Sequence, residues 1–185
     1  MPNEKHFEII KQGVQGWNQW REDNPDIEPD LSDVDLSDRK LNNANLSDTD
    51  LRRSILKNTD FRGANLVRAD LRSASINKAS FNLAKMREAN FSEAYLRASD
   101  LSEADLKRAY FIRADLVRLD LCETDLTKAD FRWAYLIATD LRMANLTRAD
   151  LRWAHLSESN LSEANLTKAN LIKASIIKTN LLHAD

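Results

Sequence analysis

Every fifth residue from Leu31 to Leu181 is large and apolar. Of these thirty-one centres, twenty-three are Leu and the rest are Phe, Ile or Met. Two residues before each centre stands a column of small residues. It holds nineteen Ala and eight Ser or Thr, with Pro29, Val34, Arg39 and Leu119 as the exceptions. Asp or Asn mostly fills the place between the columns, and the two residues after each centre are mixed and mainly polar. On an α-helix, steps of five advance about 140° and scatter the centres around the cylinder. On a continuous strand, an odd step sends alternate centres to opposite faces. One arrangement keeps them all inside. The centre and the small residue share one side of a short extended segment, the Asp or Asn points out, and the next two residues turn a corner. A chain that turns every five residues winds into a coil, and stacked coils make a solenoid.

The motif, as in ANLVR (64–68), ADLKR (104–108) and ANLTK (164–168), resembles the pentapeptide repeat family. The resemblance covers residues 29–185. It implies an all-β solenoid, a right-handed quadrilateral β-helix of about eight coils, with twenty residues in each coil. The sequence agrees with that step: Asp100, Asp120 and Asp140 recur at twenty, as do Arg108, Lys128, Arg148 and Lys168. The chain then divides into an N-terminal capping helix and linker over 1–28 and a β-helix over 29–185.

Alternating large and small positions allow four centres per coil to meet on the axis. Phe91, Phe111 and Phe131 fall on one side and predict a stacked ladder. Inward hydroxyls such as Thr139 should return to nearby backbone. Leu119, in a column of small residues, should bulge its coil.

A solenoid exposes apolar core and open edges at its ends. Residues 3–23 read as one helix, with Phe7, Ile10, Val14, Trp17 and Trp20 at helical spacing. Asn3 is the N-cap and Asn24-Pro25 the stop. The helix is a lid over the first coil, or a partner-binding helix. The segment WNQWREDNPDIEPDL also resembles the N-terminal caps of bacterial, notably cyanobacterial, family members. At the other end, Leu171, Ile176, Leu181 and Leu182 are still in frame and apolar. Two outcomes are open: an end-to-end homodimer through this coil, or a frayed last coil.

The search for chemistry is short. His6, His155 and His183 are dispersed, and there is no Gly-rich phosphate loop and no paired Cys. No catalytic residue, metal or cofactor is expected. The one Cys, Cys122, follows a centre and should be exposed; it fits a reducing compartment. The first residues carry charges where a signal peptide would be apolar, and no apolar run approaches a membrane span. A cytoplasmic location without membrane contact is the expectation. Charged residues make up 30% of the chain, yet the net charge is only -2, so a strongly basic nucleic-acid binder loses weight and no direct nucleic acid contact is expected.

The repeat maps the outer surface. The side with Asp100, Asp120 and Asp140 also gathers Glu103, Glu123 and Glu163, and should be acidic. The corner of Arg108, Lys128, Arg148 and Lys168, beside Arg132 and Arg152, should be basic. Trp133 and Trp153 fall last in their repeats, at a corner, pointing out. Tyr135, Ile137 and His155 lie on the next side. Arg113 and Lys173 flank the Trp column, within reach of cation–π contact. These aromatics either stiffen the rod by stacking or form a protein-binding patch. The resemblance implies a non-catalytic interaction or scaffold protein with an unknown protein partner. The alternative comes from the family's quinolone-resistance members, which mimic DNA and bind DNA gyrase. This chain departs from them in its near-zero net charge and in having no loop that interrupts the frame.

Overall fold

The computed structural model describes residues 3–185. Parallel backbone bridges join residue i to residue i + 20 from Asp30↔Asp50 to Asn160↔Asn180. Four turns therefore make one coil, and the coil has four sides. We number the sides by their centres: the first holds Leu31 to Leu171, the second Leu36 to Ile176, the third Leu41 to Leu181 and the fourth Leu46 to Leu166. No continuous strand forms among the described residues. Each bridge is isolated, because only about three residues separate successive turns.

The repeat ADFRW (129–133) shows why this pattern folds. Its five backbone N–H groups all find acceptors. Ala129 donates to Leu126 O across the turn (2.9 Å), Asp130 to Ala109 O in the preceding coil (3.0 Å), and Phe131 and Trp133 to Asp150 O and Arg152 O in the next (2.8 and 3.2 Å). The N–H of Arg132 is left, and Asp130 Oδ1 accepts it at 3.1 Å. The Asp or Asn column thus satisfies the one donor that coil stacking cannot reach. The last residue of every repeat, from Asp33 to His183, has φ between 55° and 65°. This is the conformation a type II turn requires. None of these positions holds Val, Ile or Thr, the residues that tolerate it least. Only Gly63 is glycine, which explains how so turn-rich a chain manages with 3 Gly.

The interior follows the columns. The centres are almost fully buried from Leu31 to Leu161. Phe91, Phe111 and Phe131 stack at 5.0 and 4.9 Å with planes 6° and 3° apart. Phe61 and Phe81 form a second stack on the opposite, third side, at 4.8 Å. Thr139 Oγ1 donates to Leu116 O at 2.8 Å. Leu119 is buried, and the bridges of Asp120 to Asp100 and Asp140 stand beside it, so the pairing is not interrupted there. Ser99 and Thr139, its column neighbours, are small and leave it room.

The cap departs from the single helix expected. It is two helices, α1 (Glu4–Lys11) and α2 (Val14–Asp23). Gly13, with φ 118°, breaks the run. Asn3 caps α1 by accepting from Lys5 and His6 N–H, and α2 stops before Asn24. Ile10 and Trp17 are buried; Phe7, Val14 and Trp20 pack half-buried against the core.

The helices stand in for a missing coil. A first coil has no predecessor, so its edge groups lack partners. His6 Nδ1 accepts from Asp30 N–H (3.0 Å) and Asn18 Oδ1 from Asn45 N–H (2.8 Å). Trp17 Nε1 donates to Asn45 O (2.8 Å), and buried Arg21 donates to Ser47 O and Ile27 O (3.0 and 2.6 Å). The polar tips of the cap thus reproduce the hydrogen bonding of a coil on the first and fourth sides. Among the described residues no helix is long and apolar enough to cross a membrane.

Candidate protein-interaction site

Trp133 and Trp153 occupy the turn position between the first and second sides, with φ 64° and 63°. That backbone aims both side chains outward, one coil apart. Their rings stack at 4.7 Å and 7°, and 45% and 38% of each residue stays exposed. Lys173, in the next coil, sets its ammonium 4.0 Å from the Trp153 ring centre. Arg113, on the other flank, makes no such contact among the described residues. Around the corner Tyr135 stacks on His155 at 5.0 Å and 5°. Tyr135 is exposed, while His155 and Ile137 are half-buried. The structure thus brings all five residues of the aromatic patch onto one corner and the side next to it.

Ion pairs flank the patch. Arg132 and Arg152 clasp Asp130 and Asp150 at 2.7 and 2.6 Å, and the hydrogen bond from Arg152 holds the Asp150 carboxyl below its ordinary range. The basic region expected on the first side is therefore largely neutralised there. On the third side Arg142 likewise clasps Asp140 (2.6 Å), which dilutes the expected acidic face. Cys122 is half-buried rather than exposed. Burial, and then the charge of Asp140, push its thiol up, away from reactivity.

The last coil is the second apolar feature. Ile176 is 48% exposed, Leu181 40% and Leu182 61%, and Ile172 and Ile177 stand beside them. Leu171 is half-buried. A surface concavity of about 380 Å³ lies elsewhere, on the fourth side among Arg87, Glu88, Lys107, Arg108, Thr127 and Lys128. No group of three or more His, Cys, Asp or Glu that could hold a metal ion occurs among the described residues. The sequence did not single out His6, Asn18 or Arg21. Their signal lies in the edge of the first coil, which is visible only once the coil is closed.

A rod of five-residue turns, stacked at a twenty-residue step, defines a β-solenoid repeat protein. The model for pentapeptide repeats matches residues 30–66, 64–102, 104–142 and 144–181, and the chain belongs to this family. The family's architecture is the right-handed β-helix. Among solved structures, the chain is similar to HetL, a pentapeptide repeat protein involved in heterocyst differentiation regulation from the cyanobacterium Nostoc sp. strain PCC 7120. The two are 29% identical over 84% of this chain and 86% of HetL, with a TM-score of 0.36. It is also similar to a trypsin-treated variant of QnrB1, a plasmid-mediated fluoroquinolone resistance protein. That pair is 18% identical over 82% of this chain and 89% of QnrB1, with a TM-score of 0.53. A pentapeptide repeat protein from the Arabidopsis thaliana thylakoid lumen is 24% identical over 65% of this chain and 70% of its own, with a TM-score of 0.37. No curated protein sequence matches the chain.

Proposed function

We propose that the chain is a non-catalytic interaction or scaffold protein of the cytoplasm. Residues 1–28 form its cap and linker, and residues 29–185 a right-handed rod of just under eight coils. Its binding patch is Trp133, Tyr135, Ile137, Trp153 and His155. One observation carries the reading: two Trp are held with their edges in water and stacked one coil apart, at turn positions that polar residues mostly fill. Exposed Trp and Tyr on a rigid scaffold are the usual anchors of protein interfaces. Affinity capture with wild type and with Trp133→Ala/Trp153→Ala tests it. A partner lost from the variant supports the patch; identical partners defeat it. The exposed last coil is proposed as a homodimer face.

The second reading is a DNA-mimicking modulator of DNA gyrase. The column of Asp100, Asp120 and Asp140 speaks for it, since it repeats carboxylates along the rod. The cations on the opposite part of the rod count against a DNA-like surface. A gyrase supercoiling assay unaffected by excess protein ends this reading.

A further inference from the structure

The corner between the fourth and first sides carries one column of turn residues from coil to coil. It reads Asp48, Arg68, Glu88, Arg108, Lys128, Arg148, Lys168. The lower half alternates in sign, and the alternation is used. Arg68 Nε bonds Asp48 Oδ1 at 2.6 Å, and Arg108 Nη1 bonds Glu88 Oε1 at 3.2 Å. Above Arg108 the alternation stops. Lys128, Arg148 and Lys168 are exposed and form no ion pair among the described residues. The carboxylates on either flank are already engaged: Asp125 by Lys107 at 2.8 Å, and Asp130 and Asp150 by Arg132 and Arg152. The adjoining Thr127, Thr147 and Thr167 bring no charge.

Neighbours in such a column lie about 4.8 Å apart, one strand spacing. Like charges facing each other across strands destabilise a sheet. The same column avoids that cost in its lower half and accepts it above, where nothing within the chain offsets it. The three cations are therefore open to an anionic partner.

We propose that this ladder binds an acidic segment of a partner protein, with the carboxylates running along the rod axis. The 380 Å³ concavity at the foot of the ladder, which Arg108 and Lys128 help to line, seats one end of that segment. Single-stranded nucleic acid fits less well, because it needs free ring faces on which to stack its bases. At the neighbouring corner only one Trp face, that of Trp133, is left open: Trp133 and Trp153 cover each other, and Lys173 covers Trp153. The ladder stands apart from the aromatic patch, so either site can fail while the other survives.

The test uses the full chain and a fluorescein-labelled oligoglutamate peptide, followed by anisotropy. Binding is expected at low salt and should weaken as salt rises. Lys128→Glu/Arg148→Glu/Lys168→Glu should weaken it by about tenfold or more, and Lys57→Glu/Lys78→Glu, on the second side, should leave it unchanged. The triple variant should melt close to wild type, because it exchanges one run of like charges for another and gains an opposite charge beside Arg108. Should it fail to fold, Lys128→Gln/Lys168→Gln provides the same comparison with a smaller loss. The proposal is overturned by no binding to wild type, by equal loss in both charge-reversed variants, or by tighter binding of oligothymidylate. A concentration-dependent rise in mass that the triple variant abolishes also overturns it, since the ladder would then serve a second copy of the chain.

Discussion

Trp133 and Trp153 share a stacked face, but only Trp153 has a cation on its other face, the Lys173 ammonium at 4.0 Å. The pair is therefore asymmetric. A stacked aromatic pair contributes about 0.5–1.5 kcal/mol beyond burial, and an exposed cation–π contact about 0.5–1 kcal/mol. Trp153→Ala should lower stability by about 1–2 kcal/mol and Trp133→Ala by less, since only Trp153 also loses the cation. Chemical denaturation of the two single variants and the double variant yields the coupling. A coupling near zero would show that stacking does not stiffen the rod and would leave binding as the reason for the two Trp.

The turn position offers a direct test of the backbone account. Ala98 is exposed with φ 55°. A left-handed residue with a Cβ costs roughly 1–2 kcal/mol, against about 0.5–1 kcal/mol of extra freedom that glycine has when unfolded. Ala98→Gly should therefore raise stability by up to about 1 kcal/mol. Ala98→Val should lower it by about 1–2 kcal/mol, because a β-branched side chain fits this region worst. Thermal melts of the two variants should move in opposite directions. A gain from Val would refute the account.

The Asp or Asn column makes a narrower claim. Asp120 Oδ1 accepts the N–H of half-buried Cys122 at 2.9 Å. Asp120→Ala leaves that donor unpaired and should cost about 1–2 kcal/mol. Asp120→Asn keeps an acceptor and should cost much less. Equal losses would mean that charge, and not the turn bond, is what the column supplies.

The cap carries a pH dependence. Burial holds His6 below the ordinary histidine range, and its Nδ1 must stay unprotonated to accept the Asp30 N–H. A group whose folded pKa is depressed contributes fully above its unfolded value, near 6.5, and loses that contribution as pH falls through the folded value. The cap should loosen in mild acid while the rod stays folded. His6 lies 4.9 Å from Trp20, so Trp fluorescence reports the change in a Trp133→Phe/Trp153→Phe background. His6→Gln should flatten the profile. A profile that His6→Gln leaves unaltered would remove His6 as the switch.

The rod could be read from the sequence, and much of the cap could not, for physical reasons. A five-residue period admits one packing, so the inward fate of Leu121 and the outward fate of Trp133 follow from position alone. The stacked Phe111 and Phe131 needed only the twenty-residue step. The cap has no such period. Its break at Gly13 depends on a local φ that helical spacing does not reveal. The roles of His6 and Arg21 depend on which edge groups the first coil leaves open. Cys122 is half-buried although its position points outward, a degree of burial that the repeat alone does not reveal. The pairing of Arg152 with Asp150, two residues apart, escaped a reading of the surface by columns alone.

The last coil sets the final prediction. Ile177 and Leu182 are 66% and 61% exposed, and Ile176 and Leu181 bring core residues to the same end. Among the described residues, the backbone N–H groups of Leu171, Ile176 and Leu181 donate to nothing, so apolar surface and open donors coincide. An identical end brought up by a two-fold axis would cover both, since such an interface matches a patch to itself. The full chain should run as a dimer in size-exclusion chromatography with light scattering. Ile177→Asp/Leu182→Asp should shift it to monomer, because each copy would bury unpaired charges at the contact. Both side chains are already exposed, so the variant should keep the fold, as circular dichroism can verify. A wild-type monomer at high concentration would instead assign this coil to fraying.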